Sequence, residues 1–211
     1  MPVPPPLDST FAFVFTHEVQ TITVQLSWRG PTLEREPDDV RDGATVPDLL
    51  NADESPFQRA LVDAGLFQSA TMSADLNRHG SSLHFTGTTT LDQLTNALGT
   101  LGNVLGQLGV EGYFDTEMLK ADAKRDRVSM ALAFEDSPSL ASSLGSSWAV
   151  RRLGNYTRRD SVVQSTPESL RAFAARWIVN QPYIIGVLTP EGTEQAVGRT
   201  VSQYVAFMKQ Q

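Results

Sequence analysis

Few side chains in this sequence could do chemistry. There are three histidines, His17, His79 and His84, and no cysteine. His79 and His84 stand five apart in "HGSSLHF", and His17 adjoins Glu18 in "FVFTHEVQ". A zinc site built on a helix needs two histidines one turn apart, with a carboxylate nearby. Here His79 falls in an expected turn and His84 in an expected strand. The odd spacing sends the two side chains to opposite faces if the strand runs that far. His17 and Glu18, neighbours on a strand, point apart. The expectation is ordinary loop and strand histidines, with no metal held in this chain.

Other reactive patterns fail on spacing. "LGSSWAV" has serines but not the second glycine of a G-x-S-x-G nucleophile turn. There is no G-x-x-x-x-G-K and no G-x-G-x-x-G for phosphate. The acid pairs Asp38–Asp39 and Asp53–Glu54 lie in polar stretches and read as solvated capping carboxylates. The one basic cluster, "RRLGNYTRR", places Arg151, Arg152, Arg158 and Arg159 around Tyr156. It reads as a solvated helix end, with an anion site or acidic partner surface as the sharper alternative. No residue is assigned a catalytic, cofactor-binding or metal-binding role.

The elements that must position these groups follow from periodicity. The chain has 211 residues, 40% hydrophobic and 19% charged, as soluble globular proteins do. Its net charge of −7 disfavours nucleic acid as a partner. Lack of cysteine fits cytoplasm and periplasm alike, and no apolar run is long enough to span a membrane. Residues 1–8 are proline-rich and read as a stiff linker, as in a segment of a longer protein. Residues 9–211 read as one domain.

"FAFVFTHEVQTITVQLSW" is β-rich, with Ile22, Val24, Leu26 and Trp28 on one face. "PDDVRDGATVPDLLN" is weakly helical, with Pro47 expected to start or kink a turn. "SPFQRALVDAG" predicts a helix capped by Ser55, with Pro56 first and Gly65 as its stop. "FQSATMSADL" and "SLHFTGTTT" predict a hairpin turning at "NRHGS". Leu91, Leu94, Leu98, Leu101, Leu105 and Leu108 form one helical face. Gly99, Gly102, Gly106 and Gly109 trail them by one position, predicting close approach by another element. Gly109 is expected to stop that helix with positive φ.

A long helix follows Asp115 or Thr116, and another is expected from Ser137 and Pro138 to Gly154. "STPESLRAFAARWI" predicts a helix with a Ser165–Glu168 capping box. "PYIIGVLTP" predicts a buried strand and "TEQAVGRTVSQYVAFMKQ" a last helix. This order predicts an α+β fold, with an antiparallel or mixed sheet and helices packed on one face.

Four of these stretches, in this order, resemble one repeat of the insulinase-like (pitrilysin and mitochondrial processing peptidase) zinc metallopeptidases. "VQLSWRGP" is similar to the family's first strand and Gly-Pro turn. "LLNADESPFQRALVDAGLFQSATM" resembles its helix, turn, helix and "G-L-A-Y" strand segment. "DTEMLKADAK" is similar to "T-x-x-E-L-x-x-A-K". "VVQSTPESLRAFAARWI" with "IIGVLTP" resembles the later helix and strand. Together they span about residues 19 to 190.

The resemblance implies one repeat of a two-half clamshell that closes around a peptide. The catalytic half of that family binds zinc through His-x-x-Glu-His. This sequence lacks that motif, so the resemblance implies the non-catalytic half. Zinc is then expected in the catalytic half, the partner, and none in this chain. The non-catalytic half often supplies an arginine and a tyrosine seven apart. Leu61 and Gln68 occupy the matching positions here, so no catalytic residue carries over. The alternative is a non-enzymatic assembly or binding module that keeps only the fold.

Overall fold

The computed structural model describes residues 9–32, 34–77, 80–135, 138, 141, 145 and 165–209. Five strands form one mixed sheet: β1 (Phe11–His17), β2 (Ile22–Gly30), β3 (Ser69–Asp75), β4 (Ser81–Thr89) and β5 (Tyr183–Pro190). Their order across the sheet is β1-β5-β2-β4-β3. β2 runs antiparallel to both of its neighbours, and β3 and β4 form the expected hairpin. β1 pairs parallel to β5, which follows it by more than 150 residues, so the sheet is mixed.

Period-two alternation sets which face is covered. Ile22, Val24, Leu26 and Trp28 are all buried, as their spacing predicts. Leu83 and Phe85 on β4, and Ile185 and Val187 on β5, continue that face. On the other face stand Gln25, Arg29, Thr71 and Thr86, all exposed. The described helices cover the apolar face: α1 (Pro37–Leu50), α2 (Pro56–Gln58, passing into a π-helical turn, Arg59–Asp63), α3 (Leu94–Gln107), α4 (Thr116–Glu135), α5 (Pro167–Trp177) and α6 (Glu194–Met208). The architecture is the expected α+β type.

Local details differ from the periodicity in instructive ways. Pro47 starts no new turn; α1 runs through it. Val46, Pro47, Leu49 and Leu50 are buried together, so packing overrides the missing amide. Ser55 caps α2 as expected, accepting from the Gln58 amide at 3.0 Å. The turn then widens to π geometry, with the Ala64 amide reaching back five residues to the Arg59 carbonyl. The capping box of α5 is Thr166 with Ser169, one residue later than predicted. Ser165 is engaged elsewhere, donating to buried Asp42 at 2.6 Å. Asp39 is no loop carboxylate: it accepts from Arg176 and from the Trp177 indole, each at 2.8 Å, and so ties α1 to α5.

The leucine face is buried from Leu94 to Leu108, but Leu91 lies before α3 and is 44% exposed. Gly109 carries no positive φ; Gly112 does, at 85°, in the turn before α4. The glycines divide by surroundings. A Cβ on Gly99 would meet nothing within 4 Å. One on Gly102 would lie 2.9 Å from Met208 Sδ, 3.0 Å from Phe207 and 3.2 Å from Tyr204, all on α6. Gly102 therefore lets α6 approach α3. Gly99→Ala is expected to stabilise the protein by about 0.5–1 kcal/mol. Gly102→Ala gains the same propensity but must displace the ends of the Met208, Phe207 and Tyr204 side chains, so it should leave the protein less stable than Gly99→Ala does. Denaturant melts of the two variants check this; equal stabilisation by both would refute the close approach.

The helix expected from Ser137 to Gly154 and the arginine cluster at 151–159 lie largely outside the described residues.

Candidate functional site

The three histidines are not brought together. His17 ends β1 and His84 sits mid-strand in β4, with β5 and β2 between them. Three strand spacings lie between them across the sheet, about 14 Å, and the register offsets them by six residues along it, about 20 Å more. His79 lies outside the described residues. Among the described residues, no group of three or more histidine and carboxylate side chains could hold a metal ion.

His84 nevertheless has a built environment on the open sheet face. The register places Ser27 and Ser73 directly beside it, on β2 and β3. Ser27 Oγ lies 2.9 Å from Nδ1, and Ser82 Oγ lies 2.8 Å from Nε2. Asp75 Oδ2 stands 3.6 Å from Nε2. A serine, a histidine and an aspartate together suggest nucleophilic catalysis. The surroundings argue against it. β2 and β4 are both flanked on two sides, so their amides serve the sheet ladders. None is left to stabilise an oxyanion, which is the largest part of such catalysis. Each imidazole nitrogen lies within hydrogen-bond distance of a serine hydroxyl. Sequence spacing could not reveal this cluster, because it depends on the register between three strands.

Leu61 and Gln68, the two positions that the resemblance singles out, differ in their surroundings. Leu61 is fully buried in the π-helical turn, packed in the core with Phe57. Gln68 is exposed at the entry to β3, its amide donating to the Thr88 carbonyl at 2.7 Å.

A groove of about 940 Å³ runs between the α1–α2 turn and α4. Asp53 and Glu54 edge one side, Asp115 and Glu117 the start of α4, and Leu49, Met118 and Val128 supply apolar lining. Asp115 caps α4 by accepting from the Met118 amide at 2.8 Å, and Glu117 pairs with Lys120 at 2.7 Å. Asp115 and Glu117 therefore serve local structure.

Acidity shifts point to packing as well. Burial raises the phenols of Tyr113, Tyr183 and Tyr204, that of Tyr183 to about 12. Burial is the largest cause for each, and Tyr183 beside Tyr204 raises the Tyr204 phenol further, so these phenols stay protonated at neutral pH.

No protein-family model and no curated protein sequence matches the chain. Solved structures do. A protease from Helicobacter pylori superposes with a TM-score of 0.76 at 17% identity, over 88% of this chain and 46% of that one. A peptidase M16 inactive domain from Pseudomonas fluorescens gives 0.66 at 14% identity, over 86% and 44%. An inactive peptidase domain from Bordetella parapertussis gives 0.64 at 18% identity, over 82% and 92%. The chain thus has the fold of the M16, insulinase-like peptidase domains. It spans about half the length of the first two of these proteins.

Proposed function

We propose that this chain is the non-catalytic half of a zinc metalloendopeptidase, closing a peptide chamber against a zinc-bearing half. One observation carries the reading: an M16 peptidase fold without the M16 zinc motif. With histidines only at 17, 79 and 84, no pair has the four-residue spacing of His-x-x-Glu-His. Half-length coverage of the peptidase structures supports a missing second half. Zinc belongs to that partner half, and the substrate is a peptide. Leu61 and Gln68 leave this half to shape and close the chamber, not to hold the scissile bond.

The test is reconstitution. The chain is produced with whichever segment carries His-x-x-Glu-His, either the remainder of its polypeptide or an adjacent gene product. A fluorogenic peptide should be cleaved by the pair, and a zinc chelator should stop it. Neither half should cleave alone. Cleavage by this chain alone would overturn the reading. No helix among the described residues is long and apolar enough to cross a membrane.

A further inference from the structure

We propose that β1 is a self-docking edge, through which two copies of this chain pair as antiparallel strands in a two-fold dimer. The inference rests on the edge itself, independently of zinc or peptide. β1 ends the sheet, hydrogen-bonded to β5 alone among the described strands. Phe11, Phe13 and Phe15 are 48%, 48% and 58% exposed, and Ile184 beside them is 39% exposed. All four lie on the open face, because Phe11 pairs directly with Ile184. The rings of Phe13 and Phe15 already stack, with centroids 6.2 Å apart. α6 packs behind β1, so the outer edge and the open face are what β1 offers.

Sheet edges are ordinarily guarded by lysine, proline, a bulge or an inward charge. "FAFVFTH" has no proline, no acid and no lysine or arginine, and its register with β5 is unbroken from Phe11 to His17. A second copy is the occupant that the strand itself specifies. Phenylalanines at 11, 13 and 15 are symmetric about Phe13. In an antiparallel register with Phe13 opposite its own counterpart, Phe11 faces Phe15 and all six rings share the open face. Directly opposed side chains of this kind meet across the strands. The chain carries a net charge of −7, and this uncharged strand is a place where two copies approach without that repulsion.

Area sets the strength. An aromatic side chain buries roughly 150–250 Å². Six half-exposed rings therefore contribute roughly 500–700 Å². With the strand edges, the interface falls near the lower limit for a specific contact, about 1,000 Å². An interface of that size belongs with weak, reversible contacts, so the dimer should dissociate on dilution.

Sedimentation of the full chain from about 1 to about 200 µM should show the mass rising toward twice the monomer. Phe13→Lys should stay monomeric, as should Phe13→Glu, and mixing the two should restore the dimer. The chain has no cysteine, so an introduced one reports register directly. Opposed Cα atoms lie within disulfide reach. On oxidation, Phe13→Cys should cross-link to itself. Phe11→Cys should cross-link to Phe15→Cys and not to itself. If the lysine variant fails to fold, the cross-linking pattern decides. A monomer at every concentration would overturn the proposal and leave this edge to a different chain. So would a dimer that survives Phe13→Lys, or one that cross-links in another pattern.

Discussion

Phe85→Ala is expected to destabilise the protein by about 3–5 kcal/mol, a large share of the stability of a single domain. Phe85 is fully buried on β4. Its ring meets Phe57 edge-on at 6.1 Å and Phe67 edge-on at 5.6 Å. It thus joins α2 and the entry to β3 to the centre of the sheet. The site has little means of collapsing around the void. Two residues along, Gly87 has no side chain to move in. A Cβ there would sit 2.7 Å from both Phe67 and Phe85, which shows how closely the rings already press on the strand. Phe11→Ala, on the half-exposed edge, should cost well under 1 kcal/mol in the same urea titration. A loss below about 1 kcal/mol for Phe85→Ala would contradict the packing described here.

Leu61→Ala should cost about 2–5 kcal/mol. Leu61 is 0% exposed, and the carbonyl in the same residue accepts from the amides of both Leu66 and Phe67. The π-helical turn is held on this residue, so the void opens where the chain leaves the helix for β3. This position also separates two accounts of the site. A residue that reached into a peptide chamber would be exposed, and its truncation would leave stability nearly unchanged. A near-zero change in a denaturant melt would reopen a site there. Leu61→Arg, which restores the charge that the resemblance expects, should prevent folding and not create a substrate contact, because an unpaired cation would be buried.

What could be read from the sequence was whatever depends on one segment at a time. The alternation of Ile22, Val24, Leu26 and Trp28 specified the covered face of β2, and Ser55, Pro56 and Gly65 bounded a helix correctly. The stretches missed depend on distant partners. Thr166 displaced Ser165 as the cap of α5 because Ser165 donates to Asp42, 123 residues away. Asp39 looked like a solvated acid until Arg176 and Trp177 reached it from α5. β1 was legible as β-rich, but its parallel pairing with β5 and its exposed phenylalanines were not, since neither follows from alternation alone. The His84 cluster was hidden for the same reason. Ser82 shares β4 with His84, but Ser27 and Asp75 come from β2 and β3, whose register no local spacing encodes. Gly102 was read correctly as a close approach. Gly99, on the same stripe, meets nothing, since only the position of α6 distinguishes the two.

The most direct measurement is zinc content after equilibrium dialysis of the whole chain, followed by metal analysis, since it samples every residue including His79. A non-catalytic half should hold far less than one zinc per chain, and His79→Ala and His84→Ala should leave that content unchanged. One tightly held zinc per chain, lost in either variant, would contradict the central claim and make this the metal-bearing half.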